Sequence, residues 1–173
     1  MERATPDFAI RRLAPGDWQA YRAIRLRALE EAPDAFGATL AEAQAWPEEE
    51  WAARLERAAV SGIDCPLAAE ADGGLVALGW AKVDAQDGTI VNLYQMWVAP
   101  AFRGQGVAGA LLDQAAAWAR ARGARCMQLG VNCANPAAIR LYQRAGFVAV
   151  DAPYPMRPGT ALLEQRMRLS FIP

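Results

Sequence analysis

Val98-Ala99-Pro100-Ala101-Phe102-Arg103-Gly104-Gln105-Gly106-Val107-Ala108 is the stretch on which the reading of this chain turns. It follows a strand-like apolar run, Thr89 to Val98, and beyond Pro100 the period changes. Val107, Leu111, Leu112, Ala115 and Trp118 recur at helical spacing until Gly123 stops them. A strand thus ends in a glycine-rich turn that opens directly into a helix. Glycines let the backbone approach a ligand, and the first-turn N–H groups are free donors at the positive end of the helix dipole. The turn is therefore a candidate site for a phosphate or pyrophosphate. The letters Gly104-x-Gly106-x-x-Gly109 also match a dinucleotide fingerprint, but the acidic residue needed about 20 positions later is missing.

Phe8 to Leu13 reads as a strand, and Trp18, Tyr21, Ile24 and Leu29 mark an amphipathic helix ending before Pro33. Pro47 followed by Glu48, Glu49 and Glu50 starts a second helix that runs to about Val60. Pro66 to Ala71 and Leu75 to Val83, separated by Asp72-Gly73-Gly74, form a meander with Thr89 to Val98. Met127 to Val131 is a short buried strand. Asn135-Pro136 opens a last helix that closes at Gly146, and Phe147 to Val150 and Leu162 to Leu169 finish as strands. The order βααβββαβαββ predicts one α/β domain over residues 1–173, a mixed, mostly antiparallel seven-stranded sheet with helices on both faces. The helical crossover makes the strand before Pro100 parallel to the one at Met127.

The chain has no histidine, which removes Ser-His and Cys-His nucleophiles and most zinc chemistry; no metal is expected. Cys65, Cys126 and Cys133 form no CxxC pair and read as reduced thiols. A net charge of -1 gives no basic field for a nucleic-acid partner. No apolar stretch approaches the roughly 18 to 20 residues that span a bilayer, and residues 1–7 hold no apolar signal core, so no membrane partner and a cytoplasmic location are expected.

The central run resembles the acetyl-CoA signature of the GNAT N-acetyltransferase superfamily, Arg/Gln-x-x-Gly-x-Gly/Ala, met by Arg103, Gly106 and Ala108 after Val98-x-Pro100. Downstream, Asn135, Ala138, Leu141, Tyr142, Gly146 and Phe147 reproduce the family's Asn-x-x-Ala-x-x-Leu-Tyr followed by Gly-Phe. The resemblance implies a GNAT fold and acetyl-CoA as co-substrate, held where two parallel strands splay apart. Its pyrophosphate is expected on Arg103, Gly104, Gln105, Gly106, Val107 and Ala108, and its pantetheine arm along Met96, Trp97 and Val98. Asn135 and Ala138 are expected near that arm, with Asn135 equally suited to be an N-cap. Tyr142 matches the tyrosine that protonates the departing thiolate, a role open to a phenol of unperturbed pKa about 10.

The implied reaction is acetyl transfer to a primary amine, expected to be that of a small molecule, by direct attack in a ternary complex. The alternatives are acetylation of a protein N-terminus or lysine, and a non-catalytic acyl-CoA sensor. The glutamate that many family members carry on the strand before the turn is absent. Ile90 to Val98 offers only Asn92, Tyr94 and Gln95 as polar side chains, so the base must come from elsewhere or act through water, with Glu70, Glu42 and Asp151 as unranked candidates. The acceptor is expected between the loops Pro33 to Trp46 and Asp151 to Thr160. Seven acidic residues and no basic one from Glu30 to Glu50 would favour a cation, whereas Tyr154 and Arg157 would favour a carboxylate. Leu162 to Leu169 is a candidate exposed edge for a homodimer.

Overall fold

A computed structural model describes residues 7–172. Three helices, α1 (Trp18–Glu31), α2 (Leu40–Gln44) and α3 (Glu48–Ser61), follow the first strand β1 (Ala9–Arg12). The meander β2 (Asp64–Ala71), β3 (Gly74–Val83) and β4 (Ile90–Val98) comes next, then α4 (Val107–Ala121), β5 (Cys126–Asn132) and α5 (Pro136–Arg144). The chain ends with β6 (Val148–Ala149), β7 (Tyr154–Pro155) and β8 (Leu163–Ser170). The sheet order is β1-β2-β3-β4-β5-β8-β6, with β7 also on β8. Among the described residues only β4 and β5 run parallel, as their helical crossover requires.

The predicted order holds with two additions. The helix α2 arises from a capping box: Thr39 Oγ1 accepts from Glu42 N, and Glu42 Oε2 accepts from Thr39 N. The two-residue β7 makes the sheet eight-stranded rather than seven-stranded. It sits beside Glu164 and Leu163, while β6 lies beside Arg168 and Met167. Strand β8 is therefore flanked on both sides over much of its length, and the expected exposed edge at Leu162 to Leu169 is largely covered. The β2–β3 turn takes its sharpness from Asp72 and Gly73, both at positive φ (52° and 77°).

Alternation along the strands divides the interior into two layers. Leu67, Ala69, Val91, Leu93 and Met127 face α4 and α5. Ala68, Leu78, Trp80 and Trp97 face α1 and α3, where Tyr21, Leu29, Trp51 and Leu55 complete the second layer. Helices thus cover both faces of one sheet. Among the described residues no helix is long and apolar enough to cross a membrane.

Candidate active site

Strands β4 and β5 pair only from Ile90↔Cys126 to Asn92↔Gln128. Beyond Asn92 the backbone groups of β4 that face β5 have no strand partner, and a gap opens in the sheet. A bulge in β4 contributes to it. Trp80 faces Tyr94 and Leu78 faces Trp97, so Gln95 and Met96 together oppose the single residue Gly79. Gln95 sits at φ 61°, and the Met96 thioether occupies the space where a Cβ on Gly79 would lie, 2.8 Å from its sulfur. The phenol of Tyr21 donates to Gln95 Oε1 at 2.8 Å and ties α1 to the bulge.

A cavity of about 1090 Å³ occupies this region. Its walls include Arg25, Trp51 and Trp80 from the α1–α3 side, Gln95 and Met96 from the bulge, and Tyr142 from the opposite side of the sheet. It therefore reaches through the gap between β4 and β5. Tyr142 is 8 % exposed, with its ring edge-on to Phe147 at 5.8 Å. Burial pushes its phenol up to about 12.

The two loops expected to flank the acceptor do meet. Arg157 Nη1 donates to the carbonyls of Phe36 (3.3 Å) and Gly37 (3.4 Å), and Asn132 Nδ2 donates to Asp34 O at 2.7 Å. Arg157 is engaged in this bridge and does not line the cavity, whereas Tyr154 does. Of the acidic run from Glu30 to Glu50, Glu42 alone lines the cavity. Glu31 faces Trp97 and Arg103 instead, and Glu50 pairs with Arg57.

The turn before α4 has the backbone an anion needs. Gly104 and Gly106 adopt φ 74° and 85°, and Ala110 N, bonded to Gly106 O at 3.0 Å, closes the first helical turn. The N–H groups of Val107, Ala108 and Gly109 therefore precede the helical ladder.

A family model described as "Acetyltransferase (GNAT) family" matches residues 22–147. This chain belongs to the GNAT family. Among curated relatives, the GNAT chain is 35% identical over 152 residues to a mycothiol acetyltransferase of Thermobispora bispora, covering 84% of this chain and 48% of that one. It is 33% identical over 160 residues to a mycothiol acetyltransferase of Cellulomonas flavigena, covering 86% and 43%. The chain spans about half the length of these curated relatives. Among solved structures, a GNAT-family acetyltransferase from Streptococcus pneumoniae superposes with a TM-score of 0.83 at 24% identity, over 95% of this chain and 100% of that one. A protein from Salmonella typhimurium solved with its cofactor acetyl-CoA gives 0.80 at 23%, over 96% and 95%. These two likenesses concern the fold.

Within the GNAT frame the residues expected to hold acetyl-CoA divide into groups. Gly104, Gly106, Val107 and Ala108 form the turn and helix start, and Gln105 Nε2 braces it by donating to Ala101 O at 3.1 Å. Arg103 is engaged elsewhere: its Nε donates to Val98 O (2.9 Å) and its Nη2 to Glu31 Oε2 (2.8 Å). It anchors the end of β4 to α1. Trp97 points the same way, its Nε1 donating to Glu31 Oε2 at 2.8 Å, so its side chain lies away from the gap. Met96 lines the cavity, and Val98 packs against the α4 layer. Asn135 is the N-cap of α5, accepting from Ala138 N at 3.1 Å, and Ala138 packs on the α4 layer.

Of the carboxylates named as candidate bases, Glu70 is ion-paired with Arg11 at 2.6 Å and Asp151 with Arg166 at 3.3 Å, and neither lines the cavity. Glu42 does line it, but caps α2. Sequence reasoning missed Glu164. It faces Asn132 across β5–β8, lines the cavity, and extends its carboxylate over Gly130, near the mouth of the gap. Burial pushes this carboxyl above its ordinary value of 4.5, against the lowering effects of Tyr154 and Arg166. No motif marks Glu164, which comes to the site by strand pairing alone.

Proposed function

We propose that this chain is an acetyl-CoA-dependent N-acetyltransferase that acts on the primary amine of a small molecule by direct attack within a ternary complex. The observation that carries this reading is the cavity crossing the sheet at the β4–β5 gap, with Glu164 and Tyr142 both on its walls. Acetyl-CoA, when bound, supplies a thioester carbonyl activated toward amines. Glu164 takes a proton from the acceptor ammonium, and a carboxyl raised by burial is a stronger base than an exposed one. The amine nitrogen then bonds to the carbonyl carbon, the carbon–sulfur bond breaks, and the nitrogen releases its second proton to solvent as the amide forms. Tyr142 presents its proton to the departing sulfur and regains one from solvent. A phenol at about 12 keeps that proton at neutral pH, and the same buried surroundings disfavour a thiolate, so donor and acceptor rise together.

The bridge from Arg157 to the Phe36 and Gly37 carbonyls favours a small acceptor, because it joins the two loops that a protein substrate would have to part. Glu164 also supplies the carboxylate whose absence from β4 motivated the non-catalytic reading. The test is thiol release from acetyl-CoA across a panel of primary amines, with the acetylated product identified by mass. Saturable release with at least one small amine is expected, together with a higher Tm in the presence of CoA. A calorimetric titration without CoA binding at millimolar concentration would overturn the reading.

A further inference from the structure

Arg25, on α1, is 8 % exposed, and its Nη1 has no hydrogen-bond partner among the described residues. The buried indole Nε1 of Trp51 is likewise without a partner. Both residues line the cavity. Native proteins seldom bury a cation without an acid beside it, because the charge loses its hydration and gains nothing in return. A guanidinium cannot escape by giving up its proton. The carboxylates on the cavity wall are engaged elsewhere: Asp64 accepts from Trp80 Nε1 (2.9 Å) and Ser61 Oγ (2.8 Å), and Asp84 from Asn92 Nδ2 (2.9 Å). Glu42 caps α2, and Glu164 stands over Gly130.

What surrounds Arg25 is aromatic and cationic. Its guanidinium lies over the Phe36 ring, 4.7 Å from the centroid. Arg54, the other cation felt at Arg25, stacks over Trp46 at 3.8 Å, and Trp46 in turn packs on Trp51 at 4.9 Å. Tyr21, also beside Arg25, packs on Trp51 at 5.6 Å and bonds Gln95 at the bulge. One side chain therefore separates this cationic corner from the strand on which the thioester would lie.

We propose that Arg25 and Trp51 Nε1 bind a carboxylate of the acceptor, which makes the acceptor an amino carboxylate such as a free amino acid. A guanidinium is the side chain best matched to the planar carboxylate group, and the Trp51 indole is an idle donor in the same cavity wall. Arg54 reinforces the local positive field. The inference rests on the acetyltransferase reading and names its substrate class. It also replaces Arg157, which the loop bridge occupies.

The experiment compares acetylation of the protein amino acids with that of their matched C-terminal amides, each with acetyl-CoA and each product identified by mass. At least one amino acid should be used with kcat/KM 10²-fold or more above its amide. Arg25→Gln should cut that acid-to-amide ratio at least tenfold. Removing an unpaired buried charge should not lower Tm. Should that variant fail to fold, Trp51→Phe keeps the aromatic packing, deletes the donor and should lower the same ratio severalfold. An equal rate for acid and amide, no turnover of any amino acid, or a ratio unmoved by the substitutions overturns the proposal. Failure of the underlying reading shows separately, as absent CoA binding in a calorimetric titration of the unmodified protein.

Discussion

The carboxylate of Glu164 lies in the volume that a Cβ on Gly130 would take, with Glu164 Cγ only 2.8 Å from that position. Gly130 pairs with Arg166, while Glu164 itself faces Asn132, so the glutamate leans along β5 toward the gap. A residue without a side chain is what allows this. In Gly130→Ala the added methyl displaces the far end of a flexible side chain, which costs the fold little. Thiol release should fall tenfold or more while Tm moves by only a few degrees. Normal turnover in Gly130→Ala would remove Glu164 from the proton path.

The pH profile follows from the same residue. A general base works when deprotonated, and burial raises the Glu164 pKa above 4.5, so kcat/KM should climb with pH through an inflection above that value. Glu164→Gln should remove that acidic limb and lower the plateau by about 10²-fold, within the usual range for general base catalysis. Tyr142 should add no alkaline limb below about 12. An acidic limb that persists in Glu164→Gln would assign the base elsewhere.

Gly106→Val should weaken CoA binding sharply. No atom lies within 4 Å of a Cβ built at this glycine, so internal crowding plays no part. Its φ of 85° does, because a β-branched residue there is strained by about 1–3 kcal/mol and would pull the first turn of α4 out of shape. A calorimetric titration should show the dissociation constant at least tenfold higher. An unchanged constant would place the pyrophosphate away from this turn.

How much of this the sequence discloses depends on whether a feature is local. The turn at Arg103 to Ala108, the cap at Asn135 and the crossover that makes β4 and β5 parallel all follow from spacing within a few residues or from chain handedness. The helix α2 is equally local, because its Thr39-x-x-Glu42 box spans four residues, although an acidic run surrounds it. Glu164 and Arg25 are different. Each is an ordinary charged residue in its own segment, and only the β5–β8 register and the packing of α1 bring them to one cavity. The acidic run misled for the same reason: local composition says nothing of which way Glu31 and Glu50 turn once Arg103 and Arg57 are beside them.

Tyr142 faces the cavity from the other side of the sheet. It is buried, its ring is edge-on to Phe147, and it lines the cavity from the α5 side, so packing and catalysis both have a claim on it. Tyr142→Phe separates them by keeping the ring and deleting the hydroxyl. If the phenol donates to the departing sulfur, kcat should fall by about 10²-fold while the CoA dissociation constant and Tm change little. If the tyrosine only packs, kcat should stay as it is, since phenylalanine fills the same space against Phe147. The measurement is kcat with the best acceptor beside a CoA titration on the same preparation. An unchanged kcat would leave Glu164 as the proton-handling side chain of this site and assign the departing sulfur's proton to solvent.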